Sequence, residues 1–185
     1  AYDDLGEEYE AEVNRYGWLG PRLASERAAK LVDPASVVLD AGGGSGLVGL
    51  ELAKLGFDTI DGIDISEAQL ALAQSKAVYR RLVHGRLGET LPFPSDAYDA
   101  MVSAGTFTFG HAPASSFDEI VRVVRAGGYL VFTLPADGDP EEYREKYDAL
   151  SAAGRWSLVE WGDAFYSVPD VEPETQHRIA VFRVL

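Results

Sequence analysis

The periodicity of apolar and polar positions changes repeatedly along the chain from residue 37 onward. Short runs of apolar and β-branched side chains predict strands at 37–39, 59–65, 82–84, 99–103 and 129–134. Between and after these runs, apolar side chains recur at helical spacing and predict helices at 47–55, 66–79, 117–124 and 141–153. Strands that alternate with helices through short connections pair in parallel, with right-handed crossovers. The predicted fold class is therefore α/β, a doubly wound and mostly parallel sheet with helices on both faces.

The end of the chain departs from this alternation. Two further strand-like runs, at 157–161 and 179–185, have no helix-length segment between them, so we expect them to pair antiparallel. The segment that separates them contains Pro169, Pro173 and several acidic residues, and it is predicted to be a long loop. The last strand is thus expected to be reversed relative to the others.

The length of 185 residues fits one domain, which we expect to span 1–185. Its core would occupy 37–185, and helical segments at 1–36 would pack on this core or form a lid. Pro21 suits the first position of one such helix, because a helix leaves its first N–H groups unpaired.

The composition excludes several function classes. The 30 acidic and 16 basic side chains give a formal charge of −14, which argues against a nucleic-acid partner held by phosphate charge. No apolar run approaches the roughly 18–20 residues of a membrane span, so we expect no membrane partner and a cytoplasmic location. The chain has no cysteine, and its three histidines, His84, His111 and His177, are too scattered for a metal-ligand pattern. No metal is predicted.

Glycines and two aspartates mark a candidate ligand site. Asp40 ends the first predicted strand and is followed by a loop that contains Gly42, Gly44 and Gly46. Glycines there allow close approach of the backbone to a ligand, and the following helix offers free N–H groups. Asp64 ends the second strand, 18 residues beyond Gly46, where a carboxylate that binds ribose hydroxyls is typical.

Two cofactor classes fit this layout. The segment 44–49 also satisfies the glycine fingerprint of dinucleotide sites, which keeps a nicotinamide-dependent oxidoreductase as one hypothesis. The carboxylate of Asp40 would repel a pyrophosphate, whereas S-adenosylmethionine carries an ammonium and a sulfonium that an acidic wall favours. A methyltransferase is therefore the preferred interpretation, and a non-catalytic cofactor-binding module of the same fold is the second alternative.

Five segments in order resemble motifs of the Rossmann-like S-adenosylmethionine-dependent methyltransferases: 38–46, 62–66, 91–93, 98–100 and 120–128. More narrowly, segments at 2–3, 17–21, 46–49 and 103–107 resemble the methyltransferase-like group of the Williams–Beuren syndrome region and its bacterial relatives. The resemblance covers nearly the whole chain. It implies a seven-stranded sheet with a reversed last strand, and S-adenosylmethionine as cofactor.

The resemblance also implies roles for single residues. Gly42, Gly44 and Gly46 would let the backbone pass under the methionyl and ribose parts of the cofactor. Asp64 would accept hydrogen bonds from the ribose hydroxyls. Five further residues would bind the ends of the cofactor or close over it: Asp40 near the ammonium, Ile65 on the adenine face, the backbone carbonyls of Ser103 and Ala104 on the ammonium, and Tyr9 as a lid.

The chain departs from the family pattern at two places. Gly43 stands where many relatives have a small sulfur-bearing or hydroxylated residue. Leu87 lies near the position of an aspartate that often holds the adenine amino group. Adenine recognition is therefore assigned to backbone groups of Leu87 and Gly88, or to Glu89.

Methyl transfer from a sulfonium needs alignment more than acid–base groups, so no catalytic triad is expected. His111 is the one candidate base, and Phe107 and Phe109 belong either to an acceptor pocket or to the core. Phe165 and Tyr166 have the same two interpretations. Nucleic-acid enzymes that methylate amino groups have an Asn-Pro-Pro-Tyr type of signature after the fourth strand. That signature is absent here, where the residues are Ser-Ala-Gly-Thr. The predicted acceptor is a small, uncharged or cationic molecule, with a protein as the wider alternative, and the chain is expected to be a monomer or weak dimer.

Overall fold

A computed structural model describes residues 17–138, 140–169 and 172–185. Tyr9 and most of the predicted N-terminal segment lie outside these residues, so the lid and the single domain stay predictions. The described part of the chain forms five helices: α1 Gly20–Ala28, α2 Leu47–Lys54, α3 Glu67–Ser75, α4 Ser116–Val123 and α5 Glu141–Ala152. It also forms eight strands: β1 Val37–Ala41, β2 Thr59–Asp64, β3 Arg81–His84, β4 Tyr98–Ser103, β5 Val124–Pro135, β6 Trp156–Trp161, β7 Phe165–Val168 and β8 Glu172–Val184.

One sheet contains all of these strands, in the order β3-β2-β1-β4-β5-β8-β6, and β7 pairs with β8 off this path. The five strands β1 to β5 pair in parallel, and β8 is antiparallel to both β5 and β6. The doubly wound α/β class, the seven strands along the path and the reversed last strand are confirmed. The carboxyl ends of β1, β2 and β4 meet at one edge, where Ala41 pairs with Ile63.

The predicted long loop before the last strand is wrong. β7 occupies part of that segment, and β8 begins well before residue 179. Polar residues at the start of β8 were not recognised as strand, yet His177 pairs with Pro135 of β5 on one side and with Phe165 of β7 on the other. Pairing with two neighbours outweighs the weak strand preference of this polar stretch. Pro169 lies in the turn between β7 and β8, where it removes no ladder hydrogen bond.

The helix boundaries follow local signals, with one exception. Ser66 caps α3, because its Oγ accepts a hydrogen bond from the Gln69 amide at 3.3 Å. This helix ends at Ser75, earlier than the predicted 79. Ala77 has a φ of 54°, which takes the chain out of the helical conformation. Tyr79 follows this turn and packs against the apolar cluster that contains α2.

Buried apolar side chains form two clusters. The larger is rich in aromatic rings, and in it Phe107 stacks on Phe117 with ring centroids 4.7 Å apart. Phe107 therefore belongs to the core, whereas Phe109 is 65% exposed. The second cluster packs α1 and α2 against the sheet. Within the described ranges, none of the helices combines the length and apolar composition needed to cross a membrane.

Candidate cofactor site

A cavity of about 500 Å³ opens where the parallel strands end, in the size range of small-molecule sites. Ligands of doubly wound sheets bind at this edge because the connecting loops part there. The cavity wall combines the loops that follow β1, β2, β3 and β4 with the first two residues of α2 and one residue each from α1 and α3. Its lining residues are 42–45, 47–48, 64–66, 85–89, 104–106 and 110–113, together with Trp18, Pro21 and Gln69.

The loop after β1 is held in place by its own backbone. The amides of Gly42 and Gly43 donate to the carbonyl of Ile63 at 2.9 and 3.1 Å, which ties the loop to the end of β2. Gly42 has a φ of +69°, and a Cβ there would lie inside the van der Waals contact distance of Thr106. Only glycine fits this position. The predicted glycines Gly42 and Gly44 line the cavity, and Gly46 precedes α2 as its N-cap.

Asp64 is oriented by two backbone amides. Its Oδ2 accepts from Gly44 at 2.8 Å, and its Oδ1 accepts from Ser66 at 2.9 Å. Each carboxylate oxygen has a second acceptor site, so the group remains able to bind a pair of hydroxyls. Ile65 follows it in the cavity wall and is 49% exposed, which offers an apolar face beside the acceptor.

Asp40 lies beneath the loop and does not line the cavity, and its predicted place near the ammonium stays a prediction. The carboxyl is fully buried, and a Cβ on Gly43 would come within 2.9 Å of its Oδ2. The hydroxyl of Tyr79 donates to the same oxygen at 2.6 Å. Burial and, to a lesser degree, the charge of Asp64 raise the pKa of Asp40 to about 7, although the hydrogen bonds from Tyr79 and the Gly49 amide act in the opposite direction.

The residues at and after the end of β4 pack against the end of β1. Ser103 is fully buried, and its hydroxyl donates to the Ala41 carbonyl at 2.6 Å, so it joins β4 to β1 behind the wall. Ala104 lines the cavity, and the binding of the ammonium by the backbone carbonyls of Ser103 and Ala104 stays a prediction. Thr106, which sequence reasoning missed, also lines it and donates to the Gly42 carbonyl at 3.2 Å.

The loop after β3 closes one end of the cavity. Leu87, Gly88 and Glu89 all line it, as the adenine assignment requires. Gly88 is packed so closely on Pro113 that a Cβ would overlap that ring. Arg86 also lines the cavity, and its Nε lies 3.7 Å from a carboxylate oxygen of Glu89. The two exposed charges offset each other at this rim.

The loop after β4 carries the candidate base. Nδ1 of His111 lies 3.3 Å from the Gly105 carbonyl, and because a carbonyl only accepts, this contact assigns the ring proton to Nδ1. In the neutral ring Nε2 is then the basic nitrogen. Trp18 lines the cavity too, and a Cβ on Gly105 would come within 2.9 Å of its ring. No local pattern marked Trp18, since its place depends on packing against a loop far along the chain.

Comparison with known proteins decides the family. A family model for the methyltransferase domain matches residues 39–132. Methyltransferase-like protein 27 of Homo sapiens is 32% identical over 169 residues, which cover 86% of this chain and 69% of that protein. The chain belongs to the methyltransferase domain family. The enzyme class predicted from the glycine loop is confirmed, and the oxidoreductase alternative is wrong.

Other members show how far the similarity extends. The malonyl-[acyl-carrier protein] O-methyltransferase of Legionella pneumophila is 30% identical over 163 residues, covering 86% of this methyltransferase and 56% of that protein. A TehB-like SAM-dependent methyltransferase from Corynebacterium glutamicum has the same fold, with a TM-score of 0.75 at 21% identity over 99% of this chain and 98% of that one.

S-adenosylmethionine is the cofactor that this family implies, and the cavity fits it. The fit rests on the glycine loop, whose backbone forms a cradle that a Cβ at Gly42 would disrupt, and on the oriented carboxylate of Asp64. Among the described residues, no group of three or more histidine, aspartate or glutamate side chains is placed to hold a metal ion.

Proposed function

We propose that this methyltransferase transfers the methyl group of S-adenosylmethionine to a small-molecule acceptor. The observation that supports the proposal most directly is the oriented carboxylate of Asp64 between the glycine loop and the exposed face of Ile65. A paired hydroxyl acceptor next to an apolar surface matches an adenosine, which presents two ribose hydroxyls and a flat base.

Each end of the cofactor would contact a different set of residues. Asp64 would accept from the ribose hydroxyls, and Ile65 would pack on one face of the adenine. Backbone groups of Leu87 and Gly88 would bind the edge of the base, since both residues line that end of the cavity. The backbone of 42–45 would pass under the methionyl part.

The bound cofactor supplies an activated methyl group, so the chain contributes alignment and exclusion of water. Well-oriented reactants gain roughly 7–11 kcal/mol over reactants that meet in solution. Trp18, Pro21 and Pro113 give the cavity apolar walls next to Ala104 and Thr106. An acceptor enclosed there is held against the donor and kept from water.

His111 is the proposed base at the acceptor end. With its proton on Nδ1, the ring presents Nε2 to take a proton from an acceptor hydroxyl as the new bond forms, or from an acceptor ammonium before its nitrogen attacks the methyl group. A carboxylate acceptor, of the kind named for the Legionella relative, would need no such base. The effect of replacing His111 therefore separates these two acceptor classes.

Calorimetry with S-adenosylmethionine and with its demethylated product tests the proposal. Saturable binding of both is expected, and no binding at millimolar concentration would overturn it. Formation of the demethylated product from a panel of small acceptors then tests transfer. Binding without turnover for any acceptor would identify a non-catalytic cofactor-binding module instead.

A further inference from the structure

Tyr79 lies under the glycine loop although nothing in the loop's sequence indicates a partner there. It follows α3, after the turn at Ala77, and precedes β3. Its side chain packs against the apolar cluster that contains α2. The segment between α3 and β3 therefore brings the chain back to the glycine loop.

The ring of Tyr79 fills a space left by three glycines. A Cβ on Gly46 would lie 3.0 Å from Cε2, and one on Gly62 would lie 3.0 Å from Cε1. A Cβ on Gly49 would overlap Cζ and the hydroxyl oxygen. These glycines belong to the loop, to α2 and to β2, so one ring packs beside all three elements.

The hydroxyl of Tyr79 has one partner of functional interest. It donates to Asp40 Oδ2 at 2.6 Å, and that carboxyl lies directly beneath Gly43, which lines the cavity. Burial and the negative charge of Asp40 raise the pKa of Tyr79, so the hydroxyl stays protonated and remains the donor.

We propose that Tyr79 is a positioning residue of the cofactor site, which supports the glycine loop with its ring and favours the ionised state of Asp40 beneath Gly43 with its hydroxyl. The inference rests on the proposed function, because the ionised carboxylate would act on the positive charges of S-adenosylmethionine. It adds a charge behind the loop that the cofactor does not touch.

The electrostatics around Asp40 support this role. Burial and the charge of Asp64 raise its pKa to about 7, a net value that already includes the lowering by the Tyr79 hydrogen bond and the Gly49 amide. Among the described residues, Tyr79 and Asp64 are the titratable groups that act on this carboxyl. Near neutral pH both protonation states are populated. A cation in the cavity favours the ionised one, so cofactor binding would release a proton.

The test measures the affinity for S-adenosylmethionine by calorimetry from about pH 5 to about pH 9, in two buffers of different ionisation enthalpy. In the wild type we expect affinity to rise with pH through about 7, with proton release on binding. Tyr79→Phe keeps the ring and removes the hydroxyl, so the midpoint should move up by about one pH unit. Asp40→Asn should abolish the dependence, and Tyr79→Phe should add little in that background.

The outcomes distinguish the inference from its premise. No binding by the wild type defeats the proposed function itself. Wild-type binding with the same pH profile in folded Tyr79→Phe reduces Tyr79 to a packing residue and overturns the inference. Should Tyr79→Phe not fold, Asp40→Asn decides alone: an unchanged pH profile in that variant excludes a charge beneath the loop.

Discussion

The Gly44 amide donates to Asp64 Oδ2 at 2.8 Å, so the loop that follows β1 is fixed by the residue that ends β2. The hydrogen bond makes the loop conformation and the carboxylate orientation depend on each other. It also leaves the acceptor aimed along the cavity wall, next to Ile65. The two aspartates of the site consequently differ in kind: Asp64 faces the cavity, and Asp40 lies behind it.

Replacing Asp64 by alanine should weaken binding of S-adenosylmethionine by about 1.5–3 kcal/mol, because hydrogen bonds to a charged group contribute on this scale. The matched control is Asp58→Ala, an exposed carboxylate that precedes β2 at the opposite edge of the sheet. Calorimetry on both variants checks the result. Equal affinities for the two would show that the ribose is held elsewhere.

Gly49→Ala tests the contact between α2 and Tyr79. Alanine in a helix interior normally stabilises by about 0.8–1 kcal/mol relative to glycine. Here its Cβ would overlap the Tyr79 ring, and overpacking of this kind costs typically 1–3 kcal/mol. We expect a net loss in the free energy of unfolding, measured with urea.

The control for that experiment is the double variant Gly49→Ala with Tyr79→Leu. The smaller side chain removes the overlap, so the effect of Gly49→Ala should become neutral or stabilising in this background. A loss of the same size in both backgrounds would contradict the proposed packing.

The fold could be predicted from the sequence because its main signals are local. Periodicity changes along the chain, and the capping serine at position 66 and the glycine stop at 56 mark where helices begin and end. β7 could not be predicted, because its partner, the start of β8, is polar and forms a strand only through pairing on both sides. That pairing joins segments far apart in the chain, which no window of sequence contains.

The same distinction between local signals and long-range packing applies to the candidate site. The glycine loop and Asp64 could be predicted because a loop between strand and helix must approach its ligand through backbone. The supporting residues could not: Thr106 and Trp18 reach the loop region from other parts of the chain. The charge of Asp40 could be predicted from the sequence, but its burial could not, because that burial depends on Tyr79 packing beneath the loop.

The stability of the protein should depend on the ionisation of Asp40. Its pKa is raised in the folded state to about 7, above an ordinary value of 3.8, so the folded state keeps the proton up to a higher pH than the unfolded chain does. The contribution of this protonation to the free energy of unfolding is complete below about pH 4. It is lost as the pH rises to about 7, and the loss is at most about 4 kcal/mol.

Urea unfolding of the wild type and of Asp40→Asn across this pH window checks the prediction. Asparagine does not ionise, so the difference in unfolding free energy between the two proteins isolates Asp40 from the other carboxylates. The difference should shift in favour of Asp40→Asn as pH rises from about 4 to about 7. A difference that stays constant over the window would contradict a buried carboxyl with a raised pKa.

Replacing His111 by alanine tests the acceptor end. If the acceptor loses a proton during transfer, turnover should fall by about 10²–10⁴-fold, the usual contribution of a positioned base. The affinity for S-adenosylmethionine should change little, because the proposed contacts with the cofactor do not include His111. Phe109→Ala is the matched control, since Phe109 is in the same loop and 65% exposed. Equal turnover in the two variants would indicate an acceptor that reacts without giving up a proton, such as a carboxylate.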